Sequence, residues 1–116
     1  MGSSAIQLFG RKKCRVTQKA ERFFRDRSVS YQFIDLDRKP MSPGELTSVV
    51  QKLGAETLID TGSPVYQRRG MQYMDFDPAE ELAEHPGIMR TPVVRRGSDA
   101  VVGDEPDGWA RVAGLR

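Results

Sequence analysis

The sequence predicts an α/β fold, and three consecutive segments predict it. Residues 5–9 (AIQLF) alternate as a strand does, placing Ile6 and Leu8 on one face. Residues 15–27 carry Val16, Ala20, Phe23 and Phe24 at i, i+4, i+7 and i+8, a single helical stripe with charges covering the rest. Residues 29–36 (VSYQFIDL) are rich in β-branched and aromatic side chains and read as a second strand. Strand, helix and strand in that order form a βαβ unit, for which a right-handed crossover is expected.

The rest of the chain has equally local signals. Ser42 can cap a helix, Pro43 suits its first position, and Glu45 completes a capping box. Leu46, Val49, Val50 and Leu53 then make an apolar stripe, which Gly54 ends. Residues 61–69 contain Gly62 and Pro64 and read as a loop with room for a short helix around Tyr66. Asp77, Pro78 and Glu80 repeat the start signal, predicting a short helix through Glu84 that His85-Pro86-Gly87 terminates. Residues 88–94 and 100–102 read as strands joined by a hairpin turn over 96–99, and residues 107–112 as a last helix with Trp109 and Val112 inward. Pro92 at the mouth of a strand fits either a trans proline at a sheet edge or a cis Thr91-Pro92 bond that turns the backbone toward a neighbouring site.

A length of 116 residues fits a single domain over 1–116, and 38% hydrophobic with 29% charged residues fits a globular protein in water. No apolar run approaches the ~18 residues that a membrane span needs. Residues 1–10 lack the basic and apolar regions of a secretory signal. Cys14 is the only cysteine, which excludes an internal disulfide and a thiolate zinc cluster and points to a reduced, cytoplasmic setting. The net charge of +2 conceals an asymmetry, because residues 11–27 (RKKCRVTQKAERFFRDR) carry eight Lys and Arg against two acids. Cys14 lies inside that basic block.

Its position suggests chemistry. Cys14 follows a strand and a glycine-containing turn and stands just before a helix, where unpaired N–H groups and the helix dipole favour negative charge. Arg11, Lys12, Lys13 and Arg15 add charge of the same sign, and such surroundings stabilise the nucleophilic thiolate. The alternative is a buried, inert thiol acting as a small core residue. The basic block with Phe23-Phe24 also fits a nucleic-acid surface, but both phenylalanines lie on the helical stripe and are expected in the core. The lysines and arginines then form an anion-attracting rim near Cys14 and a solvated face further along. His85 is expected to end a helix. Asp75, Asp77, Glu80, Glu81 and Glu84 suit capping and a solvated face, and no ligand spacing suggests a metal. Tyr66, Tyr73 and Trp109 are expected to pack internally.

Four segments in order resemble the arsenate reductase/Spx (ArsC-like) branch of the thioredoxin superfamily. They are the strand, turn and Cys14 with Lys19-Ala20 and Ile34-Asp35 after it, then Leu58-Ile59-Asp60-Thr61-Gly62-Ser63-Pro64-Val65-Tyr66. His85-Pro86-Gly87-Ile88-Met89-Arg90-Thr91-Pro92-Val93-Val94 and Val102-Gly103 with Trp109 follow. The resemblance implies a thioredoxin-like fold with an inserted helical subdomain over about 42–87, and a cis Pro92 packed near Cys14. It also implies three arginines for an oxyanion. Here Gly62 stands at the first position, Thr91 at the second with Arg90 one residue early, and Val102-Gly103-Asp104-Glu105 has none at the third. Those departures count against arsenate as the native substrate. Spx regulators carry Cys-x-x-Cys, whereas Cys14-Arg15-Val16-Thr17 ends in threonine.

What the resemblance leaves is a monothiol oxidoreductase of the kind linked to glutathione. Cys14 would attack, with Arg15 and the helix N-terminus favouring its thiolate and Thr17 bonding the sulfur. Lys13, Arg90, Thr91 and Pro92 would hold the substrate, Thr91-Pro92 through backbone contacts. Glutathione as co-substrate, or glutaredoxin, would resolve the mixed disulfide, with no bound cofactor. The other expectation is an Spx-like regulator that binds RNA polymerase without catalysis; neither requires a membrane or nucleic acid.

Overall fold

The first predicted strand forms as β1 (Gln7–Gly10) and the next helix as α1 (Arg15–Asp26) in the computed structural model, which describes residues 5–115. Residues 1–4, on which the expectation of no secretory signal falls in part, and residue 116 lie outside the described residues. After β2 (Gln32–Asp35) come α2 (Pro43–Leu53), α3 (Pro64–Arg68) and α4 (Pro78–Glu84), with 3-10 turns between and after them. The hairpin β3 (Val93–Arg96) and β4 (Asp99–Val102) follows, and α5 (Pro106–Ala113) closes the chain.

The strands order β2-β1-β3-β4, with β1 parallel to β2 and antiparallel to β3, and β3 antiparallel to β4. Leu8 pairs with Val94 and Phe9 with Val93. Because strand side chains alternate, these two pairs face opposite ways. Leu8 and Val94 join Ile6, Ala20, Phe24, Trp109 and Val112 on the side of α1 and α5. Phe9 and Val93 join Leu58, Met71, Leu82 and Ile88 beneath the segments between β2 and β3. Among the described residues α5 packs on β3 and β4 and against α1, while α2 packs on β4 and against α4.

This pairing positions the site. The C-terminal end of β1 and the start of β3 are neighbours because the two strands run antiparallel. The turn after β1 and the residues before β3 therefore meet, although Cys14 and Thr91 are 77 positions apart.

Several boundaries differ from the sequence expectation. The second strand begins at Gln32, not residue 29, because Val29 N–H still bonds Phe24 O at 2.9 Å and Ser28 has φ 57°. The strand expected over 88–94 begins at Val93. Ile88 ends a 3-10 turn and its N–H bonds His85 O at 3.0 Å, so its apolar character reflects burial, not pairing. The hairpin turn is tighter than expected, since Arg96 and Asp99 still pair across Gly97-Ser98 and Gly97 adopts φ 62°. Thr91-Pro92 is cis and leads into an interior strand, which replaces the trans, sheet-edge alternative. Tyr73 does not pack inside: it is 86% exposed, while the preceding turn buries Met71 instead. Phe24 is buried in the core and Phe23 half-buried against it, as the helical stripe requires.

Candidate active site

Cys14 is the N-cap of α1. Its backbone N–H bonds Arg11 O at 3.0 Å, closing the turn, and its carbonyl accepts the first helical bond from Gln18 N–H at 3.0 Å. With the backbone extended, Sγ lies over the open helix end and accepts from Thr17 N–H at 3.5 Å. A cap position normally takes Ser, Thr, Asp or Asn, so a sulfur there occupies the place of a hydrogen-bond acceptor. The first turn of α1 contains no acid to oppose a negative charge.

Thr91 approaches from the start of β3. Its hydroxyl donates to Sγ at 3.2 Å, and its main-chain O lies 3.8 Å away, able to accept from a protonated thiol. Burial pushes the Cys14 thiol up, but the Thr17 and Thr91 hydroxyls and the Thr17 and Val16 amides pull it further down. The net result is a thiol below its ordinary range. The lowering comes from hydrogen bonds and not from the basic block.

The basic residues are in fact deployed unequally. Arg11 donates to Met89 O and Pro86 O, both at 2.8 Å, and to Asp37 Oδ1 at 3.1 Å. It therefore ties the turn after β1 to the chain before β3, a role that the expectation of an anion-attracting rim missed. Lys19 pairs with Asp104 at 2.9 Å. Lys12, Lys13 and Arg15 are exposed and form no ion pair among the described residues. Arg90 donates to Thr57 O at 3.0 Å, and a Cβ on Gly103 would meet its Nη2 at 2.6 Å. Gly103 N–H in turn bonds Pro92 O at 2.9 Å, so the Arg90 side chain lies beside the end of β4 that meets Pro92.

Of the residues expected at the site, Cys14, Thr17 and Thr91 come together around one sulfur, and the buried Pro92 adjoins them. Lys13 and Arg15 flank Cys14 in the chain but make no hydrogen bond to it among the described residues. Gly10 was not singled out for the site, yet Thr17 packs onto it so closely that a Cβ would meet Thr17 Cγ2 at 2.4 Å. Only its place in the turn after the first strand hinted at that role. Among the described residues no group of three or more His, Cys, Asp or Glu side chains could hold a metal, and no helix is long and apolar enough to cross a membrane. A groove of about 430 Å³ between α2 and α4, lined by Met41, Leu46, Val50 and Ala83 among others, includes none of the site residues.

A model of the ArsC family matches residues 9–112, a span that runs from β1 through the cysteine turn and cis-proline into α5. The chain belongs to the ArsC family. Its ArsC fold is thioredoxin-like, and solved ArsC structures share it. The arsenate reductase from Vibrio cholerae superposes with a TM-score of 0.80 at 17% identity, covering 96% of this chain and 99% of that one. An ArsC family related protein from Bacteroides fragilis gives 0.83 at 17% identity with the same coverage, 96% and 99%. The chain is also 23% identical over 95 residues to the global transcriptional regulator Spx 2 of Oceanobacillus iheyensis, covering 77% of this chain and 69% of that protein. It is an ArsC/Spx-like member of the thioredoxin superfamily.

Proposed function

We propose that this ArsC-family chain is a monothiol thiol–disulfide oxidoreductase in which Cys14 is the nucleophile and glutathione the partner thiol. The observation that carries this reading is the half-buried Cys14 sulfur, which caps α1 and receives the Thr91 hydroxyl at 3.2 Å. Those contacts favour the thiolate, the form that attacks disulfides. In the first exchange the thiolate attacks one sulfur of a disulfide, forming a Cys14 mixed disulfide. The other sulfur leaves as a thiolate and takes a proton from water. In the second exchange a glutathione thiolate attacks the substrate sulfur of that mixed disulfide and releases the Cys14 thiolate. Lys12, Lys13 and Arg15 form an exposed cationic approach to the site for a partner with carboxylates, Thr91-Pro92 bounds it on the other side, and Arg90, next in the chain, is held by Thr57 O. The setting is a reduced, cytoplasmic one.

The test is the rate of Cys14 alkylation as a function of pH, followed by mass spectrometry after exposure to oxidised glutathione. Alkylation is expected to rise at lower pH than for an ordinary thiol, because the folded-state pKa is lowered and the thiolate forms sooner as pH increases. A glutathione adduct on Cys14 is expected, and Cys14→Ser is expected to abolish both it and any turnover. An ordinary thiol profile, or turnover that survives Cys14→Ser, would overturn the reading. The likeness to Spx 2 supports a second reading, a regulator that binds RNA polymerase. Retention of polymerase subunits from lysate, equal for wild type and Cys14→Ser, would favour it.

A further inference from the structure

We propose that Thr91 is a catalytic residue, which switches the Cys14 sulfur between attacking and departing thiolate by means of its hydroxyl; this rests on Cys14 being the reacting thiol. Thr91 presents two groups of opposite character to one atom. Its main-chain O, 3.8 Å from Sγ, can only accept, so it is a partner for the protonated thiol alone. Its hydroxyl, 3.2 Å from Sγ, donates, and a donor is held more strongly by a thiolate than by a thiol. Each protonation state of Cys14 therefore has its own partner within the same residue, and the shorter contact belongs to the partner of the thiolate.

Thr17 also helps to stabilise the thiolate through its amide and hydroxyl, but among the described residues only Thr91 brings both a donor and an acceptor to Sγ. Thr17 is fully buried, and its hydroxyl accepts from Arg11 N–H at 3.4 Å. Arg11, the cation best placed by sequence, is occupied by Met89 O, Pro86 O and Asp37. No lysine or arginine donates to Sγ among the described residues. The Thr91 hydroxyl has no partner there other than Sγ.

The consequence spans both exchanges. When Sγ attacks a disulfide, the new S–S bond forms, the old one breaks and the expelled thiolate carries away the negative charge. Sγ then bears neither charge nor proton, so the hydroxyl loses its strong acceptor and the carbonyl its donor. That carbonyl becomes free to accept an N–H from a peptide-like substrate. When the second thiolate attacks the substrate sulfur, the electron pair of the breaking bond returns to Sγ, and the hydroxyl is in place to receive it. One donor thus raises the share of Cys14 present as attacking thiolate at neutral pH and lowers the barrier to its departure.

The test uses the full chain with Thr91→Val, Thr91→Ala and Thr91→Ser. Iodoacetamide alkylation is followed against pH at low and high salt, and release of Cys14 from its preformed glutathione mixed disulfide is followed after adding reduced glutathione, which leaves as oxidised glutathione. Thr91→Val keeps the branching and loses the donor, and Thr91→Ala serves in its place should the valine variant lose its native circular dichroism. Loss of the donor is expected to move the alkylation profile to higher pH, and to slow both alkylation at neutral pH and glutathione release by about tenfold. Thr91→Ser is expected to stay within about twofold of wild type, as a hydrogen bond requires. The wild-type profile is expected to move little with salt, since a short hydrogen bond is screened far less than a rim of exposed charges. A donor-free variant with the wild-type profile, or Thr91→Ser as impaired as Thr91→Val, would overturn the proposal while leaving Cys14 as nucleophile. A wild-type Cys14 with an ordinary thiol profile would overturn both.

Discussion

Gly10 has to be glycine because Thr17 already occupies the space where a side chain would stand. A Cβ there would come within 2.4 Å of Thr17 Cγ2 and 2.6 Å of Thr17 Oγ1, and Thr17 is wholly buried beneath the Cys14 sulfur. Gly10→Ala is expected to cost about 1–3 kcal/mol by overpacking, measured by urea unfolding. It is also expected to shift Cys14 alkylation to higher pH, because a displaced Thr17 donates less well to the sulfur. Loss of stability with an unmoved alkylation profile would separate Thr17 from the thiolate. At this scale the sequence was legible for Cys14, whose place before a helix follows from local periodicity. It was not legible for Arg11: four cations stand around the cysteine, and nothing local shows which of them meets Pro86 O and Met89 O.

The helices and the hairpin are joined at their edges by a few polar contacts. Asp99, at the start of β4, accepts from Arg111 of α5 at 3.1 Å and lies 3.6 Å from Lys52 of α2. The Arg111 hydrogen bonds hold its carboxyl below the usual carboxylate range despite partial burial. A carboxyl lowered in the folded state adds stability above its unfolded pKa, near about 4, and that contribution disappears as pH falls through the folded value. Asp99→Asn is therefore expected to lower stability at neutral pH and make less difference in strong acid, seen as urea midpoints that converge as pH falls. The side chain is 35% exposed, so the difference at neutral pH is expected to stay within about 1 kcal/mol. Element types were largely readable because capping residues and apolar stripes are local; Ser42 and Glu45 form the capping box their spacing predicts. Ends were less readable where a segment is apolar through burial outside the sheet, as at Ile88 and at Met89, which bridges Ile59 alone.

Across the whole molecule, stability resides in two cores separated by the sheet. Trp109 is fully buried in the core shared with α1 and packs edge-on against Phe23, with ring centroids 5.5 Å apart. Trp109→Ala is expected to cost about 3–5 kcal/mol. Tyr73→Ala, at an exposed site, is expected to stay within about 0.5 kcal/mol. Thermal unfolding of the two variants checks both expectations, and a large loss at Tyr73 would mean that its face contributes to the fold.

The α/β class, the order of the elements, the inward faces of α1 and α5, and Cys14 as a helix cap all follow from the chain alone. Each depends on residues a few positions apart, within reach of periodicity and capping rules. A cis Pro92 near Cys14 is implied by the family resemblance, but the Thr91 hydroxyl on the Cys14 sulfur, the occupation of Arg11 and the exposure of Tyr73 do not follow from the chain. The Cys14–Thr91 and Arg11 contacts depend on β1 and β3 lying antiparallel, which brings Cys14 to Thr91 across 77 positions. Hydrogen bonds and burial at that separation are set by the packing of the sheet, and no short stretch of sequence encodes them.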